Sequence, residues 1–246
     1  MQKDYPFSTN NEWYTFWNRL PSNFKRPMLH GNGSPNDKPL LEFLSVLGII
    51  TSNQISELFS INPKRIKIML AENKLVRHEI VVNEMKHVLY SLGENGALFI
   101  GMPVELFPSN YWVELSKDEV SKRLTFIDFY ICFKKLIPSS TIVQAPIPFI
   151  AAIQMPNGNE ISVYGLRNDG NDLTSALKWH FQKYQQKQMI ILAERLEHMN
   201  LVKEFLLNMK VRVATYETIY SNVQNLYDFF YFYDENGQLQ KEVQIN

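Results

Sequence analysis

TSNQISELFSINPKRIKIMLAENK, residues 51–74, carries the clearest structural signature in the sequence. Thr51 or Ser52 can cap a first helix, because a hydroxyl there accepts a hydrogen bond from a free amide of the opening turn. Apolar residues at helical spacing follow and give this helix one apolar face. Residues 60–62 interrupt the pattern, and Pro63 suits the first position of a new helix, where its missing N–H removes no hydrogen bond. The stretch therefore predicts two short helices joined by a tight turn.

The second of these helices carries a concentration of positive charge. Its apolar residues are expected to face inward, which leaves its basic residues mostly on other faces: Lys64, Arg65, Lys67 and Lys74. Between Asn62 and His78 the chain has five Lys or Arg and one Glu. Such a local excess is typical of a nucleic-acid-binding face, and a solvated helix surface is the alternative. The pattern predicts a helix-turn-helix, in which the second helix enters the major groove of DNA.

The composition sets the limits for the rest of the chain. Its length of 246 residues suits about two domains, and its net charge of zero argues against a large, sequence-independent nucleic-acid surface. The single cysteine, Cys132, excludes an intramolecular disulfide, argues against a structural zinc site and is expected to be a small core residue. No apolar run is long enough to cross a membrane and no leader is evident, so a soluble, cytoplasmic protein without a cofactor is expected.

The segments around the two helices complete a predicted DNA-binding domain over residues 39–104. Residues 39–50 are predicted as its first helix, with Gly48 as the C-terminal cap. Residues 75–82 and 87–91 are rich in branched and aromatic side chains and predict a β-hairpin, the wing of a winged helix. Residues 1–38 are predicted as a polar arm with a short amphipathic helix at 12–20, although its aromatic residues would also suit stacking with single strands.

The predicted contacts with double-stranded DNA follow from this arrangement. The recognition helix would contribute Lys64, Arg65, Lys67 and Lys74, and the wing would contribute Arg77 and Lys86. Neutral hydrogen bonds to the DNA backbone are expected from Thr51, Ser52, Gln54 and Asn62. A metal site at His78 and His87 is disfavoured, since no further ligand lies nearby in the sequence.

The run from Leu40 to Gly101 resembles the winged-helix domain of the replication-relaxation family. The similar segments are LLEFLSVLGIITSNQISELF, SINPKRIKIMLAENKLV and YSLGENGALF, the last of which resembles the common Y-x-L-x-x-x-G ending of such domains. The resemblance implies a bacterial plasmid, phage or other mobile element as the setting, and a role in transcription or replication control.

The second half of the chain predicts a different architecture. A connector with a domain boundary near 105–116 leads to a long helix at 117–136, whose broad apolar face fits either a dimer interface or packing within its own domain. Beyond it, strand-like and helical segments alternate, which indicates an α/β sandwich with a mixed sheet over residues 117–246. The predicted order is strands at 141–146, 148–155 and 160–166, a helix at 171–187, a buried strand at 187–194, a helix at 195–209, a strand at 211–217 and a closing hairpin around 235–237.

In the replication-relaxation family such a domain resembles the restriction-endonuclease-like fold, whose active members hold a divalent metal with carboxylates on two adjacent strands. The corresponding strand 148–155 has no acid, and the next offers only Glu160 at its start and Asp169 beyond its end. Asp169 and Asp172 are expected to cap the following helix instead, and His180 is expected to be structural. The resemblance therefore implies the fold without catalysis.

The sequence as a whole predicts an α+β protein, with a winged helix-turn-helix domain followed by a nuclease-like α/β sandwich. The predicted function is sequence-specific binding of double-stranded DNA without enzymatic activity, as a homodimer or with a protein partner on the C-terminal domain. Two alternatives remain: a metal-dependent nuclease, and a winged-helix module that binds protein.

Overall fold

A computed structural model describes residues 11–20, 34, 36–103, 106–167, 169–221 and 225–242. The chain divides into two compact units, Asn10–Leu124 and a second that runs from Thr125 to the C-terminus. Both combine helices with β-sheet, so the protein is α+β, as predicted.

The N-terminal unit is built from helices around a small antiparallel sheet. Its elements are β1 (Trp13–Phe16), α1 (Asp37–Leu47), β2 (Ile49–Thr51), α2 (Ser52–Phe59), α3 (Pro63–Ala71), β3 (Leu75–Val82), β4 (Met85–Leu92) and α4 (Glu94–Phe99), followed by a 3₁₀ turn at Tyr111–Glu114. The four strands lie in the order β1-β3-β4-β2, and every neighbouring pair is antiparallel.

The helices α2 and α3 begin where their capping residues predict. The Thr51 hydroxyl accepts a hydrogen bond from the Gln54 amide (3.3 Å), and the Gln54 side chain accepts one from the Thr51 amide (3.0 Å). The Asn62 side chain accepts a hydrogen bond from the Arg65 amide (2.9 Å), with Pro63 at the first helical position. These side chains satisfy amides that a helix start otherwise leaves unpaired. The two predicted helices and the turn between them are confirmed.

The first predicted helix ends earlier than expected. Gly48 adopts a φ of +80°, which stops α1 at Leu47, and Ile49–Thr51 form a strand that pairs with β4. The last carbonyls of α1 are satisfied from outside the helix, by Arg123 at Leu47 and by the Tyr111 hydroxyl at Gly48, each at 2.6 Å. Gly48 is the C-terminal cap, as predicted, but the prediction of helix for residues 49–50 was wrong, because pairing with a distant strand outweighs local periodicity.

The aromatic segment near the N-terminus is a strand and not the predicted amphipathic helix. Trp13–Phe16 pairs with β3 from Trp13↔Val82 to Phe16↔Glu79. Aromatic residues and threonine suit a strand as well as a helix, and the edge of β3 supplies hydrogen-bonding partners that no local pattern reveals. The rest of the predicted arm, apart from residues 11–20, 34 and 36–38, lies outside the described residues.

The predicted connector also belongs to the N-terminal unit. The Asn110 side chain accepts a hydrogen bond from the Leu20 amide (2.7 Å), and the indole N–H of Trp112 donates to the Asn18 carbonyl (2.9 Å). Trp112 is completely buried. These contacts tie the 110–112 segment to the chain that follows β1, and the division between the units falls within the next helix, α5 (Lys117–Leu136), rather than at 105–116.

Two glycines after the hairpin allow α4 to pack closely against the end of α3. A Cβ atom on Gly93 would lie 2.2 Å from the Asn73 carbonyl oxygen, and one on Gly96 would lie 2.3 Å from that of Lys74. The Gly93 amide donates to the Lys74 carbonyl (2.9 Å). Any larger residue would push these two segments apart, so both positions require glycine.

The C-terminal unit contains a seven-stranded mixed sheet. After α5 come β5 (Thr141–Val143), β6 (Ala151–Gln154), β7 (Glu160–Leu166), α6 (Asn171–Trp179), α7 (Phe181–Tyr184), β8 (Gln188–Ala193), α8 (Lys203–Leu206), β9 (Lys210–Thr215), α9 (Tyr216–Tyr220), β10 (Tyr231–Tyr233) and β11 (Leu239–Lys241). The strand order is β11-β10-β9-β8-β7-β6-β5, in which β7, β8 and β9 are parallel and the other pairs are antiparallel.

Most predicted elements of this unit are confirmed, with two helices broken. The strand β8 is buried from Met189 to Ala193, which agrees with the prediction of a strand covered on both faces. The helix expected at 171–187 is interrupted at His180, and that expected at 195–209 is a 3₁₀ turn, Leu196–Leu201, followed by α8.

Part of the apolar face of α5 is buried inside the C-terminal unit. Phe129 contacts the rings of Phe229 and Phe230, with centroids 5.7 and 6.2 Å away. This portion of the helix therefore packs within its own unit, which is one of the two alternatives that the sequence left open.

Candidate nucleic-acid interface

The outer face of α3 is a continuous exposed surface. Apart from Pro63 at its start, the exposed residues of α3 follow helical spacing along one side of the helix: Lys64, Lys67, Ile68 and Ala71. Neither lysine forms an ion pair or a hydrogen bond with any residue that the structure describes. Two ammonium groups, one turn apart, are therefore available to an external ligand.

The neighbouring cations Arg65 and Lys74 are enclosed by the unit itself. Arg65 forms a two-pronged contact with the Asp37 carboxylate, in which Nε lies 2.8 Å from Oδ1 and Nη2 contacts Oδ2. The Lys74 ammonium lies 3.2 Å from Asp37 Oδ2 and 2.8 Å from Glu72 Oε2, and it sits 4.5 Å from the centre of the Phe99 ring. We call Asp37, Arg65, Glu72 and Lys74 the internal charge cluster.

The internal charge cluster is electrostatically balanced. Burial opposes ionisation of Asp37, whose exposed fraction is 0%, but the hydrogen bonds from Arg65 and Lys74 outweigh that effect and lower the pKa of Asp37 below its ordinary value. The hydrogen bond to Asp37 also raises the pKa of Arg65. Two cations therefore face two carboxylates, and the cluster joins the start of α1 to the first turn of α3 and to the residues that follow its end.

Several predicted DNA-contacting residues serve the fold instead. Lys74 is 2% exposed and held by the internal charge cluster, so it does not reach the surface, and the guanidinium of Arg65 is bound to Asp37. Gln54 is 4% exposed, and its side-chain amide donates to the Leu124 carbonyl (3.0 Å). Thr51 is occupied as a helix cap. Contacts with distant segments thus bury Lys74 and Gln54 and bind the partly exposed Arg65, whereas Thr51 is held by a local cap.

The remaining predicted residues lie on the surface at two separate places. Ser52, which is half-buried, and Asn62, which is exposed and caps α3, lie at the starts of α2 and α3, and Asn62 directly precedes the helix that carries the exposed lysines. Lys86 is exposed close to the tip of the β3–β4 hairpin, whereas Arg77 lies four residue pairs away on the same sheet and contacts Glu79 at 3.1 Å. At about 3.4 Å per residue, four pairs separate the two basic groups by roughly 14 Å. The hairpin thus presents one basic residue near its tip and another near its base.

The tip of the hairpin is a tight two-residue turn. Val82 pairs with Met85, and the two residues between them, Asn83 and Glu84, have φ values of +46° and +67°. Two consecutive positive φ angles are typical of a type I′ turn, which matches the twist of the strands. The sequence predicted a turn here but placed the returning strand two residues too late.

A buried histidine that the sequence analysis considered only as a metal ligand, His78, contacts several segments of the unit. His78 has no exposed surface, its Nδ1 accepts a hydrogen bond from the Asn18 amide (3.1 Å), and its Nε2 lies 2.8 Å from the Ser91 hydroxyl. Trp17 and Trp112 contact its ring, with both centroids 5.0 Å away. Burial lowers the pKa of His78 to about 3, so the ring is neutral at physiological pH. The alternation of buried and more exposed residues along β3 is the signal that could have indicated that His78 is buried.

The residues considered for catalysis are not brought together. Glu160 begins β7 and Asp169 follows its end, so the strand separates them by roughly 20 Å at 3.3 Å per residue. The Asp169 side chain accepts a hydrogen bond from the Asn171 amide (3.1 Å). The N-cap of α6 is Gly170, without a side-chain cap bond, and Asp172 lies inside the helix and accepts a hydrogen bond from the Tyr164 hydroxyl, so neither aspartate is the predicted cap. Throughout the described ranges, no three His, Cys, Asp or Glu side chains are grouped as metal ligands.

Comparison of the chain with protein-family models, curated proteins and solved structures finds no match. The resemblance to the replication-relaxation family stays a prediction. Within the described part of the chain, no helix combines the length and apolar character required to span a bilayer.

Proposed function

We propose that the N-terminal unit is a winged-helix domain that binds double-stranded DNA in a sequence-specific manner, with α3 as the recognition helix. The observation that carries this proposal is the pair of exposed lysines, Lys64 and Lys67, on the outer face of a capped helix. In a helix-turn-helix protein this is the position from which side chains reach the base edges of the major groove.

The order of elements supports the proposal. A helix, α1, precedes the closely spaced pair α2 and α3, and the β3–β4 hairpin follows directly. Only three residues, 60–62, separate α2 from α3. With α3 in the major groove, the hairpin is the part of the unit expected to meet the phosphate backbone, through Lys86 near its tip.

The charge distribution predicts a small but specific electrostatic contribution. Arg65 and Lys74 are neutralised by Asp37 and Glu72, and Arg77 contacts Glu79, so Lys64, Lys67 and Lys86 are the cations left for phosphates on these elements. Each phosphate contact lowers the slope of log affinity against log salt by about 0.9. We therefore expect a slope of roughly −2 to −3, much shallower than for a protein with a broad basic surface.

The test compares a recognition-helix variant with a matched control. Duplexes that contain a randomised central segment are selected for binding to the full chain, and the affinity of the selected duplex is measured by fluorescence anisotropy. The double variant Lys64→Ala, Lys67→Ala is expected to weaken binding by about 1–3 kcal/mol for each lysine that bonds to a base edge, and by less for one that bonds to a phosphate. Arg65 is left intact, because its removal would disturb the internal charge cluster.

The control, Lys183→Ala with Lys187→Ala, removes the same charge from the C-terminal unit and should leave the affinity unchanged. Equal affinity of the recognition-helix variant and the wild type would remove α3 from the proposal. Failure to select any duplex would favour the alternative in which the unit binds protein, which draws support from the exposed aromatic residues Tyr14 and Phe16 on β1.

For the C-terminal unit we propose a role in oligomerisation or partner binding, with a plasmid, phage or other mobile element as the setting and transcription or replication control as the process. The nuclease alternative predicts Mg²⁺-dependent cleavage of the selected duplex. Its weakness is the distance between Glu160 and Asp169 along β7, since divalent-metal catalysis needs carboxylates that converge.

A further inference from the structure

The C-terminal unit contains a cavity of about 560 Å³ that the proposed function does not use. It opens at the amino ends of the parallel strands, where Ile161, Gln188 and Lys210 lie at or next to the first residues of β7, β8 and β9. Its volume lies within the range of small-molecule sites, roughly 300–1,000 Å³. The cavity is therefore large enough for a small organic ligand.

The opposite end of these strands is closed. Arg167 follows β7 and donates a hydrogen bond to the hydroxyl of Tyr216, which follows β9 (3.2 Å), and both side chains are buried. Parallel sheets usually bind ligands at this carboxyl end. Here the end is filled by protein side chains, so the open site lies at the amino end.

The cavity has mostly apolar and adaptable walls. Three methionines contribute to the lining, Met155, Met189 and Met209, together with the aromatic rings of Phe133, Phe230 and Phe232. Methionine side chains are flexible and polarisable, so they can fit ligands of irregular shape. Apolar walls of this kind select a ligand that is itself mainly apolar.

Among the lining residues, one enclosed hydroxyl group has no hydrogen-bond partner within the described part of the chain. Tyr233 lines the cavity, and its hydroxyl oxygen is buried without a hydrogen-bond partner among the residues that the structure describes. Burial raises the pKa of Tyr233 to about 12, so the hydroxyl group keeps its proton. A buried donor without an acceptor is unfavourable. The hydroxyl oxygen has almost no accessible surface, so a ligand reaches it only when neighbouring side chains of the lining move, and a ligand oxygen or nitrogen then gives the donor its acceptor.

The charges of the lining are compensated or solvated. Arg212 and Glu242 form a two-pronged ion pair, with N–O distances of 2.9 and 2.7 Å. Lys210, the third charged residue of the lining, is exposed to solvent. No enclosed net charge is left to attract an ionic ligand at this site, in the part of the chain that the structure describes.

We propose that this cavity binds a small, neutral, mainly apolar molecule whose one hydrogen-bond acceptor receives the hydroxyl proton of Tyr233. The proposal is independent of DNA binding, since it concerns the C-terminal unit alone.

The test uses the full chain and the dye Nile red, which is neutral, mainly apolar, carries a carbonyl acceptor and fluoresces strongly in apolar surroundings. The expected result is saturable binding of one dye per chain. Leu207→Trp places a bulky ring in the lining at a half-exposed position that tolerates substitution, and it should weaken binding at least tenfold. Tyr233→Phe should weaken it roughly 2- to 12-fold, the loss of one ordinary hydrogen bond.

Two controls make the result specific. Trp179→Ser removes the most exposed aromatic side chain of the same unit, outside the cavity, and should leave dye binding unchanged. N-phenyl-1-naphthylamine lacks the carbonyl acceptor, so its affinity should fall in Leu207→Trp and stay the same in Tyr233→Phe. Wild-type affinity of Leu207→Trp for Nile red would overturn the proposed site. An equal effect of Tyr233→Phe on both dyes, or no effect on either, would overturn the proposed hydrogen bond.

The unliganded protein offers a readout that does not depend on a dye. Because Tyr233→Phe removes an unpartnered buried hydroxyl group, the variant should unfold at a higher temperature than the wild type. A lower unfolding temperature would mean that the hydroxyl already has a partner, which would also overturn the proposal.

Discussion

Lys64 and Arg65 are neighbours in the sequence, yet the first lies on the outer face of α3 and the second is bound to Asp37 inside the N-terminal unit. A step of one residue turns a helix by about 100°, so adjacent basic residues face different surroundings. The same contrast separates exposed Lys67 from enclosed Lys74. The positive charge of this segment thus divides into cations that are paired inside the unit and cations that are exposed to solvent.

The largest expected effect concerns the centre of the internal charge cluster. Asp37→Ala removes the carboxylate shared by Arg65 and Lys74 and should reduce the free energy of unfolding by about 3–5 kcal/mol, because two cations, one of them buried, are then left with the single carboxylate of Glu72. Urea unfolding followed by circular dichroism measures the change. Lys38→Ala, at the exposed position next in sequence, should stay within about 0.5 kcal/mol of wild type. A decrease below about 1 kcal/mol in Asp37→Ala would place the cluster among weak surface ion pairs.

The second effect is a pH dependence that originates at His78. Its pKa is about 3 in the folded unit and 6.5 in the unfolded chain, so below pH 6.5 the unfolded state binds a proton that the folded state does not. Stability from this residue is complete above pH 6.5 and falls with decreasing pH. Each pH unit costs up to about 1.4 kcal/mol, which gives roughly 2 kcal/mol between pH 6.5 and 5.

His78→Gln keeps hydrogen-bonding groups at this position but cannot take up a proton. Unfolding experiments at pH 7 and pH 5 should show a smaller decrease in stability for the variant than for the wild type, by about the amount above. Equal decreases in the two proteins would mean that His78 is protonated in the folded state as readily as in water.

A smaller effect on stability is expected at the exposed tip of the β3–β4 hairpin. Glu84 has a φ of +67°, a conformation that glycine adopts without a steric cost. Glu84→Gly creates the Asn-Gly sequence that type I′ turns favour and should raise the free energy of unfolding by about 0.5–1 kcal/mol. Glu84→Ala, which keeps a Cβ atom and removes the same charge, should bring no such gain. A less stable glycine variant would show that this turn is not under strain.

The smallest effect on stability is expected for Lys64→Ala with Lys67→Ala. Both side chains are exposed and lack ion pairs within the described residues, so the free energy of unfolding should change by no more than about 0.5 kcal/mol. The same double variant is expected to lose DNA affinity. A clear decrease in stability in urea unfolding would mean that the two lysines serve the fold, and the contrast with Arg65 would disappear.

Elements with strong local signals were predictable. Thr51, Asn62 and Pro63 mark two helix starts by side-chain chemistry that acts within one turn, and the bounds of α5 follow from its composition and length. The strands β1 and β2 were missed, because each is held by a partner strand far away in the sequence. The helix α4 escaped notice since its glycines, Gly93 and Gly96, disfavour a helix locally and are needed for close packing.

The candidate interface was predictable only in outline. The sequence identifies a basic segment, but it does not distinguish exposed cations from those that a distant carboxylate neutralises. Asp37 precedes Arg65 by 28 residues and Lys74 by 37. No periodicity relates residues at such separations, so the internal charge cluster had no signature in the sequence. The buried environment of His78 was unpredictable for the same reason, because its partners Asn18 and Ser91 come from different segments.

By itself, the amino-acid sequence determined where α2 and α3 begin, that a hairpin follows them, and that the second unit contains a strand buried on both faces. Caps, turn residues and runs of apolar side chains act over a few neighbouring residues and can be recognised without a partner. The tertiary structure alone decided which basic residues face solvent and that Trp13–Phe16 completes a sheet. It also decided that Tyr233 lines a cavity. Burial and strand pairing depend on segments that folding brings together. The free energy of such a contact exists only when both segments are present, so neither segment alone reveals it.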